Sequence, residues 1–171
     1  METEEQLAIH AINGDEQAFL QLMKMYQKDL YKTALSYLKN EEEGVEAVQE
    51  ITYRAFKNLN KVKEPAYFKT WLIRIMINYC NDQLKKKKRL VLNEELLHSQ
   101  GVTVRQDTLE IEEALVSLDS RSRDIVTMKY FNGLKIKEIA TVMDCPEGTV
   151  KTWLHKALES LRTKLSEKGG K

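Results

Sequence analysis

Apolar residues recur every three or four positions along most of the chain, which is the spacing of one face of an α-helix. Over residues 19–38 they form a single stripe about six turns long. A shorter helix is predicted over 4–12, before the turn signal Asn13-Gly14, and Asp15 is a candidate N-cap for the longer one. The pattern therefore predicts helices from the start of the chain.

The same spacing continues through the next 50 residues. Asn40 and the acidic run after it end one helix and begin another, because acidic side chains suit the positive N-terminal end of a helix. This helix runs to about Leu59 and is followed by a basic loop at 60–65 that contains a proline. A further helix is predicted from Tyr67 to Lys88. The five adjacent cations at its end repel one another, so a counter-ion is expected.

Residues 90–107 keep no persistent apolar face and contain a turn-like Ser99-Gln100-Gly101, so we interpret them as a linker, with a short helical piece within it as the alternative. A second group of helices begins near Thr108, and one of its members is predicted over about 122–131. The predicted fold class is all-α, with two small helical domains joined by a linker. The domains are 1–89 and 108–171, and the linker is 90–107.

Residues 136–155 show the pattern of a helix-turn-helix. Ala140 is the small residue where the two helices cross, and Val150 and Trp153 face the core. The exposed face is rich in Lys, Thr and His, which favours DNA binding over a helix-turn-helix that serves only packing. The candidate DNA contacts are Thr149, Lys151, Thr152, His155 and Lys156.

A second stretch, 60–89, interleaves aromatic and basic residues. This combination is typical of single-stranded nucleic-acid binding, in which cations follow the backbone and aromatic rings stack on bases. The candidate contacts are Lys61, Lys63, Trp71, Arg74, Asn78, Asp82 and Lys85. The alternative is that Phe68, Trp71 and Tyr79 belong to the core and the lysines are solvated. A membrane-surface role for the lysine run is disfavoured, because its helix lacks a large free apolar face.

Composition narrows the class of protein. The chain has 171 residues, of which 31% are charged and 42% are hydrophobic. It contains only 2 prolines and 7 glycines, which are too few for a turn-rich β-sandwich or β-barrel. Its apolar runs are short, its N-terminus is acidic, and it has 2 cysteines, so we expect a cytoplasmic protein without disulfides.

Charge alternates in blocks along the chain. Residues 61–89 hold 9 Lys or Arg against 2 Asp or Glu, and residues 120–171 hold 11 against 6. The segments 1–60 and 90–119 are acidic. Two basic blocks indicate two anion-binding surfaces, although solvated helix faces give the same pattern.

No catalytic set is present in the sequence. The glycines are scattered singly, the histidines lie far apart, and neither cysteine has a partner at metal-ligand spacing. We therefore expect no metal, no cofactor, no small-molecule substrate and no enzymatic activity.

Two motif sets resemble extracytoplasmic-function sigma factors. The first comprises Val48-Gln49-Glu50-Ile51 and Phe68-Lys69-Thr70-Trp71-Leu72-Ile73-Arg74-Ile75, continuing through Asn78 and Asp82 to the lysine run. The second comprises Ala114-Leu115, Leu118, Arg123, Glu138-Ile139-Ala140 and Gly148-Thr149-Val150-Lys151. The sets occur in the order and at the separation found in that family.

The resemblance implies a dissociable subunit that binds bacterial core RNA polymerase and gives it promoter specificity. Four residues of the third helix would dock on the polymerase: Glu46, Gln49, Glu50 and Arg54. The 60–89 stretch would recognise and melt the minus-ten element, and the helix-turn-helix would read the minus-thirty-five element. An anti-sigma factor, often membrane-bound in this family, is an expected partner. A stand-alone regulator of duplex DNA and a helical adaptor for acidic proteins are the alternatives.

Overall fold

The computed structural model describes residues 1–93, 114–115 and 117–169, in which helices and turns are the only regular structure. The first half contains α1 (Glu4–Ile12), α2 (Glu16–Leu38), α3 (Glu41–Lys57) and α4 (Phe68–Asn93). Two 3₁₀ turns, Leu59–Lys61 and Pro65–Tyr67, connect α3 to α4. The second half contains α5 (Ser120–Val126), a π-helical turn (Thr127–Phe131), α6 (Ile136–Met143) and α7 (Glu147–Gly169). The predicted all-α fold class is confirmed.

Side-chain caps explain where the first helices begin. The Asp15 carboxylate accepts from the backbone N–H groups of Gln17 and Ala18 at 3.0 and 3.1 Å, so the predicted N-cap is confirmed. The Asn40 side chain caps α3 in the same way, accepting from the Glu43 N–H at 3.0 Å. These caps satisfy donors that have no partner within the helix.

The fourth helix is longer than predicted. It continues past Lys88 to Asn93, through residues that the sequence pattern assigned to a linker. No proline or glycine follows the lysine run until Gly101, so nothing local ends the helix there. Lys87 forms an ion pair with Glu43 of α3, which supplies the expected counter-ion.

The helix predicted over 122–131 is also different in the structure. Its α-helical part begins at Ser120 and ends at Val126, and a π-helical turn follows. The Asn132 N–H donates to the carbonyl of Thr127 at 3.0 Å, which closes that wider turn. The helix predicted to begin near Thr108 falls mainly outside the described residues, although Ala114 and Leu115 are buried.

Helix α2 is central to the first half and packs against α1, α3 and α4. One buried apolar cluster extends from these helices into the second half. Its fully buried large side chains include Leu22, Leu30, Ile51, Leu72 and Met76 of the first half and Ile125, Met128, Ile139 and Val150 of the second. The two halves therefore share a core. Within the described residues, no helix is both long and apolar enough to span a membrane.

Candidate nucleic-acid interface

One face of α4 gathers five of the predicted DNA contacts. They follow one another in steps of three, four, four and three residues, and they fall within roughly 80° of the helix circumference over about 21 Å. Trp71 is half-buried and the other four are exposed. We call this set the α4 stripe; it consists of Trp71, Arg74, Asn78, Asp82 and Lys85. The stripe places an indole, two cations, an amide and a carboxylate in one line.

The aromatic residues near the stripe divide into core and surface. Phe68 is only 2% exposed, and its ring lies 5.6 Å from Trp71 and 6.3 Å from Tyr26, measured between centroids. The alternative assignment of Phe68 to the core is therefore correct. Trp71 packs on this buried ring while part of its indole stays accessible, so the core holds a stacking surface at the start of the stripe.

Lys61 and Lys63 lie on the connection between α3 and α4 rather than on the stripe. Both are exposed, whereas Val62 between them is 8% exposed and packs against the core. The Val62 N–H donates to the carbonyl of Leu59 at 3.1 Å. This anchor fixes the loop and leaves two cations facing solvent on either side of it.

The outward face of α3 carries the four residues that the family resemblance assigned to polymerase binding. Glu46, Gln49 and Arg54 are exposed and Glu50 is half-buried, while Ala47, Ile51 and Ala55 on the other side are fully buried. Three large apolar residues on the same outward face were not predicted from the sequence. They are Val45, Tyr53 and Phe56, which are 48%, 54% and 48% exposed. Their helical spacing outside the buried stripe was a usable signal.

A shallow cleft of about 210 Å³ lies between α3 and α4 and brings the two predicted sets together. Arg54 of the first set and Asp82 and Lys85 of the second line it, beside Tyr79. The Arg54 guanidinium lies 5.2 Å from the centroid of the Tyr79 ring and donates to Glu50 at 2.8 Å. Burial, with nearby carboxylates, raises the pKa of the Tyr79 hydroxyl, so this group stays protonated. Lys86 and Arg89 of the predicted basic run also line the cleft, and so does Gln83, which was not predicted.

The predicted helix-turn-helix is present as α6 and α7. Ile139 and Ala140 are buried on α6, and Val150 is fully buried on α7. Asp144 adopts a left-handed conformation (φ 52°) and ends α6, and the next N–H, that of Cys145, donates to the Ala140 carbonyl at 3.1 Å. The sequence placed the turn correctly but did not identify Asp144 as its left-handed residue.

The predicted contacts on α7 lie on the side away from the core. Lys151, Thr152, His155 and Lys156 are exposed and Thr149 is half-buried. The five fall within roughly 160° of the helix circumference, opposite Val150 and Ala157. We call this set the α7 face.

Two members of the α7 face already have partners within the helix. The Thr152 hydroxyl donates to the Gly148 carbonyl at 3.0 Å, and the His155 ring lies 3.1 Å from Glu159. Trp153, predicted to face the core, is half-buried and covered by the Arg121 guanidinium at 4.2 Å. Lys151 and Lys156 are the cations that this face offers to a polyanion.

Comparison with known proteins identifies relatives of both halves. The family model for sigma-70 region 2 matches residues 22–90, and that for sigma-70 region 4 matches residues 108–161. The RNA polymerase sigma factor SigV of Bacillus subtilis is 31% identical over 145 residues, which cover 83% of this chain and 87% of that protein. The ECF RNA polymerase sigma factor SigW of the same organism is 30% identical over 172 residues, covering 90% and 92%.

Solved structures share the fold at lower identity. CnrH, in complex with the cytosolic domain of CnrY, superposes with a TM-score of 0.76 at 23% identity, covering 96% of this chain and 97% of that one. The sigma factor RpoE of Bartonella quintana, in complex with the anti-sigma factor NepR, gives 0.72 at 21% identity, covering 86% and 96%. These likenesses extend over both halves of the chain.

Proposed function

Because the chain belongs to the extracytoplasmic-function sigma factors of the sigma-70 family, we propose that it binds bacterial core RNA polymerase as a dissociable specificity subunit and selects promoters. The family acts in transcription initiation, and its members supply specificity rather than catalysis. The observation that carries the proposal is that one chain exposes both the α4 stripe and the α7 face. We assign promoter melting to a domain at 1–89, duplex recognition to a domain at 108–171, and the connection to a linker at 90–107.

The polymerase-binding surface is the outward face of α3. Glu46, Gln49, Glu50 and Arg54 supply charge and hydrogen bonds, and the exposed apolar side chains beside them supply area that a partner can cover. Interfaces commonly combine an apolar centre with a polar rim, and Tyr, Phe and Arg are enriched in them. The side chains of Glu50 and Arg54 are each more than 40% exposed, so their ion pair contributes little to folding stability and is free to exchange partners.

The α4 stripe, with Lys61 and Lys63, recognises the minus-ten element as it opens. Trp71 offers a stacking surface to an unpaired base, and Asn78 and Asp82 offer hydrogen bonds to base edges. Arg74, Lys85 and the two loop lysines neutralise phosphates. A stripe of about 21 Å matches a few nucleotides of single strand, which is the length that such surfaces cover.

The α7 face reads the minus-thirty-five element in the major groove, as the second helix of a helix-turn-helix does. Lys151 and Lys156 contact phosphates or guanine edges, and Thr149 and Thr152 form short hydrogen bonds. His155 exchanges Glu159 for a contact with DNA. This exchange costs little, because the His155 and Glu159 side chains are 75% and 63% exposed.

An anti-sigma factor completes the proposed set of partners. RpoE, whose fold this chain shares, was solved with the anti-sigma factor NepR, and CnrH was solved with the cytosolic domain of CnrY. We expect a protein of this kind to compete with polymerase for the exposed apolar part of α3.

Binding of promoter DNA by the chain, with and without core polymerase, tests the proposal. The chain alone should bind duplex promoter DNA weakly, and together with polymerase it should form sequence-specific open complexes. Asn78→Ala should reduce opening, detected by the reactivity of unpaired thymines, without reducing retention of polymerase. The matched control Asn13→Ala removes an exposed amide from the turn between α1 and α2 and should change neither.

Two results would contradict the proposal. Tight, sequence-specific binding by the chain alone would favour a stand-alone regulator. Failure to retain core polymerase while still binding acidic proteins would favour an adaptor.

A further inference from the structure

Helix α1 packs against the connection that carries Lys61 and Lys63. It contacts α2 and both 3₁₀ turns of that connection, Leu59–Lys61 and Pro65–Tyr67. Its buried residues are exposed by only 5%, 0% and 1%, and they are Leu7, Ala8 and Ala11. Two of the three are alanines, whose small side chains let a helix approach its neighbours closely. The first helix is therefore part of the support on which the loop lysines rest.

A hydrogen bond joins the first turn of α1 to α2. The Tyr26 hydroxyl donates to Glu4 Oε2 at 2.7 Å, and Tyr26 is 5% exposed. Burial, with the hydrogen bond to Glu4 and its charge, raises the pKa of the Tyr26 hydroxyl, so this group stays a donor at neutral pH. Thr3 and Gln6 form a capping box, with N–H donors 2.9 and 3.2 Å from the side-chain oxygens, which keeps Glu4 in helical geometry.

Side-chain contacts continue from this hydrogen bond to the α4 stripe. The Tyr26 ring stacks on the Phe68 ring with 27° between their planes, and the Phe68 ring in turn contacts Trp71. An exposed carboxylate on α1 is thus connected, through two buried rings, to the stacking surface of the stripe. We call Glu4, Tyr26 and Phe68 the brace.

Helix α1 depends on such contacts to remain in place. It has 9 residues, whereas helices shorter than about 12–15 residues are marginal in water by themselves. Losing the hydrogen bond to Tyr26 therefore favours release of the first turn of α1. Release uncovers one side of the connection between α3 and α4, and a loop with fewer buried contacts opens more often.

We propose that Glu4 and Tyr26 are positioning residues, which hold α1 against the connection and thereby fix the loop lysines and Trp71 for the opened minus-ten strand. Neither residue belongs to the α4 stripe, so both act through Phe68 and through α1. A surface that is already ordered loses less conformational freedom on binding, so the brace raises affinity without adding a contact to DNA. The brace itself stands on the contacts, whereas its effect on DNA rests on the proposed function.

Two mild substitutions remove the hydrogen bond and leave the rings in place. Tyr26→Phe deletes only the hydroxyl, and Glu4→Ala deletes the acceptor. Glu4→Gln keeps an oxygen that accepts a hydrogen bond and should restore wild-type behaviour. The matched controls are Glu5→Ala, an exposed carboxylate in the same turn of α1, and Tyr31→Phe, a half-buried ring on α2.

Hydrogen exchange of the full chain, followed by NMR, tests the brace without polymerase. The probes are backbone N–H groups that donate within the connection: Lys61 to Asn58 at 2.9 Å, Val62 to Leu59 at 3.1 Å and Tyr67 to Glu64 at 3.0 Å. In Tyr26→Phe and Glu4→Ala they should exchange about three- to tenfold faster, as the loss of one hydrogen bond predicts. Amides of α7 should exchange at the wild-type rate, which a general loss of stability would not allow.

Binding of single-stranded DNA in the presence of core polymerase tests the consequence. The probe is an oligonucleotide spanning the minus-ten element of a promoter that the wild-type chain opens. The two brace variants should bind it about three- to tenfold more weakly than wild type. Their affinity for a duplex carrying the minus-thirty-five element, and their retention of polymerase, should not change.

The two measurements fail in different ways. Exchange in the connection that is equal in the brace variants and their controls would overturn the positioning by α1. Faster exchange with unchanged affinity for the single strand would overturn its role in DNA binding. A wild-type chain that opens no promoter with polymerase would instead refute the proposed function, and the exchange result would still decide whether α1 holds the loop.

Discussion

Replacing Lys151 of α7 with alanine should weaken DNA binding while leaving the stability of the fold nearly unchanged. Lys151 is exposed, whereas the preceding residue, Val150, is fully buried in the core. Lys151→Ala should change the free energy of unfolding by no more than about 0.5 kcal/mol, as is usual for exposed positions. Val150→Ala removes two buried carbons and should lower the free energy of unfolding by about 1.5–3 kcal/mol.

The effect of Lys151→Ala on DNA binding follows from counterion release. A single phosphate contact contributes about 0.9 to the slope of log affinity against log salt concentration, which is roughly eightfold in affinity, or about 1.2 kcal/mol, near 0.1 M salt. The affinity for a duplex carrying the minus-thirty-five element should be measured by anisotropy at several salt concentrations. The matched control is Lys24→Ala, which removes an exposed charge from α2. Unchanged affinity and slope, or an equal loss in the control, would refute the assignment of Lys151 to the DNA surface.

Three further predictions concern the core and the interface between the halves. Thr33→Val leaves the buried Asn132 amide without its hydrogen-bond partner, so the free energy of unfolding, measured in urea, should fall by about 1–3 kcal/mol. An unchanged free energy of unfolding would mean that the contact is absent in solution. Phe68→Ala should lower the same free energy by about 3–5 kcal/mol, and a loss below 1 kcal/mol would contradict its place in the core. Burial raises the pKa of the Cys80 thiol to about 12, so of the two cysteines only Cys145 should react rapidly with a thiol reagent at pH 8. Rapid reaction of both cysteines in the folded chain would be inconsistent with the structure.

Much of the fold was predictable because its signals are local. The Asp15 cap, the apolar stripe of α2 and the crossing at Ala140 depend on residues a few positions apart. The extension of α4 to Asn93 was not predicted because a run of lysines resembles a helix end. Glu43, which pairs with Lys87 of that run, is distant in sequence. The π-helical turn was missed because helical periodicity does not distinguish it from an α-helix.

The surfaces were predictable only in part, for a related reason. Spacing placed the members of the α4 stripe and of the α7 face on common sides of their helices, and the structure leaves most of them exposed. Spacing within one helix does not reveal contacts between helices. The cleft that joins Arg54 to Asp82 depends on how separate helices pack. The hydrogen bonds that Asp124 accepts from Tyr37 and Asn81 depend on it as well.

Multi-round transcription tests the central claim most directly. The purified chain and bacterial core RNA polymerase would be incubated with sheared DNA from the source organism, and the new transcripts would be sequenced. If the proposed function is correct, discrete transcription starts appear only when the chain is added, each preceded by two shared sequence elements. The absence of new starts, with the chain still retained on DNA, would contradict the proposed function and favour a regulator that acts without polymerase.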